Sequence, residues 1–267
     1  MEGIGYGMKT FFNLLNGDIQ RSLFSFRSLG AVISYVLITF ITLFDEFPYF
    51  QSGYTSVTYI YQLIQNLDFH IIYVLIGTIP GALLFCNDWD NRFFRLSVVR
   101  STKRKYAISK VIACFFSAIC IIAICEISVL ILLGSQFPLV NDLTHLNVGI
   151  YNEIAQKSVV LYWGIKILFE GLCAGFLSVF ALWLSTKITN IFVVLAAPLL
   201  AYYLFSTISF ALNTPAWLNI SYLSKGYVLI NDNLLFSFCS TVAIFVILTI
   251  LWGHFFVIHS IMRLENG

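Results

Sequence analysis

Three ionisable side chains lie inside long apolar stretches of this sequence: Glu126, Lys166 and Glu170. Lys166 and Glu170 are four residues apart, so on a helix they share a face and can form an ion pair. A charge at the centre of a bilayer costs roughly 2.5–3.5 kcal/mol on insertion scales, so charged residues kept there usually have a role. Two interpretations stay open: a buried ion pair that holds two helices together, or a polar pathway for a substrate.

A second group of residues that could carry a function is the basic stretch between residues 91 and 110. It holds seven of the fifteen Lys and Arg of the chain: Arg92, Arg95, Arg100, Lys103, Arg104, Lys105 and Lys110. Apolar residues alternate with these bases, namely Phe93, Phe94, Leu96, Val98 and Val99. A loop that only follows the positive-inside rule would explain the charge but not the apolar residues. The stretch therefore predicts a short amphipathic helix over 91–100, which lies on the membrane or docks into a groove of a partner.

The elements that must position these residues follow from composition. The mean hydropathy is +0.88, and only 10% of residues are charged, whereas soluble chains carry about 25%. A helix needs about 20 largely apolar residues to cross a bilayer, and helices satisfy their own backbone polar groups there. The sequence thus predicts an all-α integral membrane protein, with residues 1–267 forming a single transmembrane domain.

Six apolar segments predict six transmembrane helices. Their approximate bounds are 29–44, 65–86, 111–133, 160–184, 191–212 and 234–258. Before the first span, apolar residues recur every three or four positions over residues 8–27, which predicts an amphipathic helix lying in the membrane interface.

Basic residues set the expected orientation of the spans. With the N-terminus inside, the cytoplasmic segments hold the seven bases of the basic stretch and also Lys9, Arg21, Arg27, Lys187 and Arg263. The external loops then hold only Lys157 and Lys225. We therefore expect a multi-pass protein of the cell membrane with both termini in the cytoplasm and the lipid bilayer as its surroundings.

Catalytic and metal-binding motifs are missing from the sequence. There is no HExxH, no GxSxG and no GxxxxGK[ST] phosphate loop, and the six cysteines lack metal-ligand spacing. Those cysteines fall in or beside apolar segments, where free thiols pack as small hydrophobic side chains. We expect no enzyme, no metal site, no cofactor in this chain and no nucleic-acid partner.

The basic stretch with its surroundings resembles the permease subunits of ABC-2-type ABC transporters, the type V exporter-like class. In that family an acid follows the second span, a short amphipathic segment comes next, and a Lys opens the third span. Here Asp88 or Asp90 takes the acid position, with Asp90 preferred, Tyr106 stands in the middle and Lys110 comes last. The usual Pro is replaced by Val98-Val99-Arg100. The length, the six spans and the amphipathic N-terminal helix agree with the resemblance.

The resemblance implies an ATP-driven exporter. Residues 87–110 would be the cytoplasmic coupling loop, contacting a separate ABC ATPase subunit that binds ATP and Mg²⁺. The implied coupling residues are Asp90, Arg92, Phe93, Phe94, Arg95, Arg100, Lys103, Arg104, Tyr106 and Lys110. A second permease, identical or related, would complete the transporter. Peptide, antibiotic, lipid and glycan substrates all remain open, and the alternative is a polytopic membrane protein that does not transport, such as an immunity or regulatory subunit.

Overall fold

The computed structural model describes residues 2–44, 46, 48, 50, 55–66, 70–139, 151–227 and 233–266. Every regular element among them is helical, apart from turns. The α-helices are α1 (Glu2–Leu23), α2 (Phe26–Leu43), α3 (Val57–Asn66), α4 (His70–Ala82), α5 (Leu84–Asp90), α6 (Phe93–Arg100), α7 (Lys103–Gly134), α8 (Asn152–Lys157), α9 (Val159–Ser185), α10 (Ile191–Ala211), α11 (Ile220–Lys225) and α12 (Leu234–Asn266). One turn of 3-10 helix spans Ala216–Leu218.

Five of these helices are long and apolar enough to cross a membrane: α2, α7, α9, α10 and α12. The chain is accordingly an all-α membrane protein, as its composition predicts. The segment 65–86, predicted as one span, is divided in the structure. It begins at the end of α3 and continues through α4 and α5, which are separated at Leu83. Pro80 lies two residues before the end of α4, and because it lacks an N–H it removes one helical hydrogen bond there.

Short polar residues fix where the long helices begin. Ser25 caps α2 by accepting a hydrogen bond from the Ser28 amide, and Thr102 caps α7 by accepting one from Lys105 at 3.3 Å. Such caps satisfy backbone donors that have no partner inside the helix. The cap at Thr102 places Lys103 to Lys110 inside α7, so this part of the predicted coupling loop is the first part of a transmembrane helix.

Helix α9 forms the centre of the bundle. It packs against α4, α7, α10 and α12. In its most apolar 18-residue segment 72% of the residues are buried, whereas in that of α12 only 22% are buried. Small residues permit the close contacts. A side chain at Gly175 would meet the Phe115 ring of α7 at 2.7 Å, and one at Gly81 would meet the Cys114 carbonyl oxygen at 2.9 Å. The predicted external loops, which connect the spans on the outer side, lie partly outside the described residues.

Candidate functional site: two buried polar clusters at opposite ends of α7

The first cluster joins the N-terminal helix to the two elements that flank α6. We call it the ionic cluster; its members are Asp18, Arg21, Asp88, Tyr106, Ser109 and Lys110. Asp18 and Arg21 come from α1, Asp88 comes from α5, and the other three come from the first turns of α7. All but Arg21 are nearly inaccessible to solvent.

Lys110 is the central residue of the ionic cluster. Its Nζ lies 2.7 Å from Asp18 Oδ1 and 2.5 Å from Asp88 Oδ2. The Tyr106 hydroxyl donates to Asp88 at 2.8 Å, and the Ser109 hydroxyl donates to Asp18 at 3.0 Å. Two buried carboxylates are thus held by one ammonium group and two hydroxyl donors. Buried charges are tolerated when they are paired and hydrogen-bonded in this way.

Arg21 closes the open side of the cluster. Its guanidinium lies 2.5 Å from Asp18 and 3.2 Å from Asp88, and it stacks 4.5 Å from the centre of the Phe93 ring. Burial acts to lower the pKa of Arg21, but Asp88 and Asp18 outweigh it and the net pKa is raised. The guanidinium therefore stays charged while it connects the carboxylates to α6.

The structure gives the two candidate acids of the coupling loop different surroundings. Asp88, not the preferred Asp90, makes the buried contacts with Lys110 and Tyr106, whereas Asp90 is exposed. The physical reason is helical phase, because two residues along α5 turn the side chain away from α7.

Sequence reasoning also missed Asp18. Its position three residues after Leu15 and seven after Phe11 places it on the apolar face of α1, and an acid on an apolar face is a signal for a buried partner.

Helix α6 occupies the place predicted for the short amphipathic helix. Three side chains at steps of three residues are exposed on it: Phe93 at 41%, Leu96 at 59% and Val99 at 87%. Phe94 points the other way and stacks on Trp89, with ring centres 4.8 Å apart and planes 10° apart. Phe94 is thus half-buried against Trp89, and the expectation that Phe93 and Phe94 both act as docking anchors stays a prediction.

The remaining basic residues of the stretch have separate surroundings. Arg92 forms the left-handed turn before α6 with φ of 54°, and Arg95 lies 5.9 Å from the Phe94 ring. Lys103 pairs with Glu265 of α12 at 3.4 Å, and Arg104 is exposed. The side chain of Arg100 lies outside the described part of the chain.

The C-terminal end of α12 reaches the same end of the bundle. The Arg263 guanidinium donates to the carbonyl oxygen of Ser185, at 3.1 Å, and to that of Thr186 at the end of α9. It also stacks 4.3 Å from the Trp89 ring. A cation on the last carbonyls of α9 matches the negative end of that helix.

A groove of about 640 Å³ opens between α1 and α6. Its walls include Asn13, Gly17, Arg21, Phe93, Leu96 and Ser97. The exposed apolar residues Phe93 and Leu96 therefore lie along one wall, and the polar residues of α1 line the other.

The second cluster lies toward the other end of α7 and unites two of the three predicted intramembrane charges. We call it the carboxyl cluster; its members are Tyr35, Tyr61, Glu126 and Glu170. The Tyr61 hydroxyl lies 2.7 Å from Glu170 Oε1 and 3.3 Å from Glu126 Oε1, and the Tyr35 hydroxyl also donates to Glu126. The Tyr61 hydroxyl therefore lies between the two carboxyl groups and connects them.

Lys166, the third predicted charge, extends to a different element. Its ammonium group donates to the carbonyl oxygen of Lys225 at the end of α11. It lies 4.6 Å from the centre of the Tyr227 ring and 5.7 Å from that of Tyr162. Lys166 thereby fixes the turn that ends α11 against α9, one helical turn away from Glu170.

The two clusters are well separated. Lys110 and Glu126 are both on α7, sixteen residues apart in the sequence, which is about 24 Å at 1.5 Å per residue. No group of three or more potential metal ligands occurs among the described residues. The six cysteines are all free thiols. The two clusters consist of ion pairs and hydrogen bonds, and the groove beside α6 offers a surface for docking.

Comparison of the chain with family models, with curated proteins and with solved structures finds no match in any of the three.

Proposed function

We propose that this chain is the membrane-spanning subunit of an ABC exporter whose ATP hydrolysis takes place in a separate ATPase subunit. The observation that carries the proposal is the ionic cluster, which joins α1, α5 and the start of α7 directly beside α6. The resemblance of the basic stretch to ABC-2-type permeases assigns the coupling role to this segment. That family pattern has an acid after the second span and a lysine at the start of the third. Here Asp88 and Lys110 form a buried ion pair, and Tyr106 donates a hydrogen bond to the same acid, which gives a physical reason for the pattern.

The surface beside the ionic cluster suits a docking partner. Phe93, Leu96 and Val99 are exposed on α6, and the groove between α1 and α6 adjoins them. Exposed Arg92 and Arg95 flank the apolar residues. An apolar centre with an arginine rim is typical of protein interfaces, so the ATPase is proposed to bind here through apolar contacts surrounded by ion pairs.

Movement of α6 would reach the membrane helices directly. Arg21 contacts Phe93 of α6 and both carboxylates of the ionic cluster. Those carboxylates hold Lys110 of α7. Because Arg21 both stacks on Phe93 of α6 and pairs with the two carboxylates, a displacement of α6 would carry α1 and α7 with it. Helix α7 then extends to the carboxyl cluster about 24 Å away.

The contacts at this end also favour six membrane passes with both termini on one side. The start of α7, the end of α5 and the C-terminal end of α1 meet in the ionic cluster, and Arg263 of α12 contacts the end of α9. The chain would leave this end in α2, return through α4 and α5, and repeat this in α7 and α9 and again in α10 and α12. The basic residues make this end cytoplasmic by the positive-inside rule.

A complete transporter would require two permeases and two ATPases, with ATP and Mg²⁺ bound by the ATPase. The direction of transport would be outward, and the substrate class is a peptide, antibiotic, lipid or glycan.

The test is purification of the tagged chain from its native membranes in a mild detergent, followed by an assay of ATP hydrolysis. This chain has no phosphate loop of its own, so Mg²⁺-dependent hydrolysis that is lost when α6 is altered by Leu96→Asp would support the proposal. A stoichiometric second subunit carrying the GxxxxGK[ST] loop should be present by mass spectrometry. Purification of the chain alone, without hydrolysis, would favour the alternative of a membrane protein that does not transport.

A further inference from the structure

A polar cleft lies at the corner where α1 turns into α2. Its volume is about 460 Å³, and it faces the junction of α4 and α5. Its polar walls are formed by Arg21, Ser25, Arg27, Asn87, Asp88 and Asn91. We call it the headgroup cleft. Arg27 has no part in the coupling proposal, since it forms no ion pair with any described residue and is exposed.

The cleft has a net positive charge. Asp88 is the one acid among its lining residues, and it is already bound by Lys110 at 2.5 Å and by the Tyr106 hydroxyl. Asp18 behind it is likewise bound by Lys110. Three bases therefore face two acids, and the charge left over resides on the outer side, at Arg27. A guanidinium presents a planar pair of donors that matches a phosphate group.

An apolar groove continues from the same corner along the membrane helices. Its volume is about 420 Å³, and it shares Phe24 and Ser25 with the headgroup cleft. Its other apolar walls are Leu23, Phe26, Leu29, Val32, Ile121 and Ile124. We call it the acyl groove. It follows α2 and α7 away from the ionic cluster, so it leads from the interface toward the bilayer interior.

The exposed residues at the corner fit a lipid better than water. Phe24 is 86% exposed and Phe26 is 96% exposed. Fully hydrated phenylalanines would be unfavourable, since burying such a side chain is worth about 1.5–3 kcal/mol. At the junction of an interfacial helix with a transmembrane helix they lie at the depth where headgroups meet acyl chains.

We propose that the corner between α1 and α2 is a binding site for one anionic phospholipid. Arg27 and Arg21 bind the phosphate, the Asn87 and Asn91 amides line the headgroup position, and an acyl chain lies in the acyl groove along Phe24. Basic pockets between transmembrane helices are a recognised setting for anionic headgroups. The lipid would bridge α1–α2 to α4–α5, adding a contact across the same elements that the ionic cluster joins. This inference does not depend on transport.

The test is native mass spectrometry of the purified protein as it is isolated, complex included, with added lipid in detergent. Phosphatidylglycerol and phosphatidylcholine with identical acyl chains are compared at the same concentrations, and inorganic phosphate is the third arm. We expect phosphatidylglycerol to bind at least tenfold more tightly than phosphatidylcholine, and inorganic phosphate at matched concentration not to displace it. Equal binding of the two lipids would overturn the proposal, and displacement by inorganic phosphate would show a free-phosphate site instead.

Matched variants localise the lipid. Arg27→Gln should reduce the preference for phosphatidylglycerol at least fivefold, whereas Arg95→Gln, which removes another exposed charge, on α6, should leave it within twofold. Phe24→Ala should weaken binding of both lipids, while Phe192→Ala, a comparably exposed phenylalanine at 82% on α10, should not. Equal effects of the two arginine variants, or of the two phenylalanine variants, would show general surface attraction and overturn the assignment. Circular dichroism confirms that each variant is folded.

Discussion

Lys110, in the second turn of α7, and Asp18, in the interfacial helix α1, form a buried ion pair with 2.7 Å between Nζ and Oδ1. The two residues are 92 positions apart in the sequence. Their side chains are 1% and 3% exposed, so the pair fixes a membrane-surface helix to the start of a transmembrane helix without direct help from solvent.

Removal of the central ammonium group should destabilise the protein strongly. Lys110→Met leaves Asp18 and Asp88 buried with less compensation, and stranding buried charge costs about 3–5 kcal/mol. Adding Asp18→Asn and Asp88→Asn should recover part of the loss, because neutral amides need no counter-charge. Lys103→Met is the control, since its pair with Glu265 is partly exposed and worth at most about 1 kcal/mol. The measurement is thermal unfolding in detergent, and equal shifts for Lys110→Met and Lys103→Met would contradict the expectation.

The two phenylalanines of α6 should differ in what they do. Phe93→Ala combined with Leu96→Ala removes exposed apolar side chains, so we expect weakened ATPase binding, with only a small loss of stability of about 0.5–1 kcal/mol from the lost contact between Arg21 and the Phe93 ring. Phe94→Ala removes a half-buried ring stacked on Trp89 and should lower stability by about 1.5–3 kcal/mol, the free energy of burying such a side chain. A co-purification assay at two salt concentrations and a melting curve separate the two. The docking assignment fails if Phe93→Ala with Leu96→Ala binds ATPase like the unaltered chain.

Lys166 should be needed to hold α11 in place. Lys166→Met removes the hydrogen bond to the Lys225 carbonyl oxygen and the contact with the Tyr227 ring. We expect reduced yield of folded protein, because the end of α11 then loses its polar attachment to α9. Lys157→Met, at an exposed position on α8, is the matched control. Fluorescence-detected size exclusion reports folding, and normal folding with lost export would instead assign Lys166 to a substrate pathway.

Two glycines of α9 should respond oppositely to alanine. Gly175→Ala would place a methyl group 2.7 Å from the Phe115 ring and 3.3 Å from its backbone oxygen, and such overpacking costs about 1–3 kcal/mol. Gly164→Ala meets nothing within 4 Å and should be neutral or stabilising by up to about 1 kcal/mol, because alanine favours helix. Melting temperatures of the two variants decide this, and a tolerant Gly175 would mean that α7 and α9 can separate without cost.

The proposed orientation predicts labelling from one side only. In a background with the six cysteines replaced, Leu218→Cys should react with an impermeant maleimide on intact cells, and Arg104→Cys should react only after the membrane is opened. Both positions are exposed, so burial does not explain a difference. Reaction of position 104 on intact cells would reverse the proposed topology.

The sequence alone was sufficient to identify an all-α membrane protein, since membrane insertion depends on local apolar length. It was also sufficient to place α6 and to single out Glu126, Lys166 and Glu170, because charges in apolar segments are visible locally. The tertiary structure was needed to choose Asp88 over Asp90 and to find Asp18 and Arg21, since these depend on helical phase and on which helices become neighbours. It likewise decided that Glu126 meets Glu170 through Tyr61 while Lys166 extends to α11, and that Phe94 packs inward. Spacing within one helix shows which residues share a face, but the partner of that face is set by the packing of helices distant in sequence.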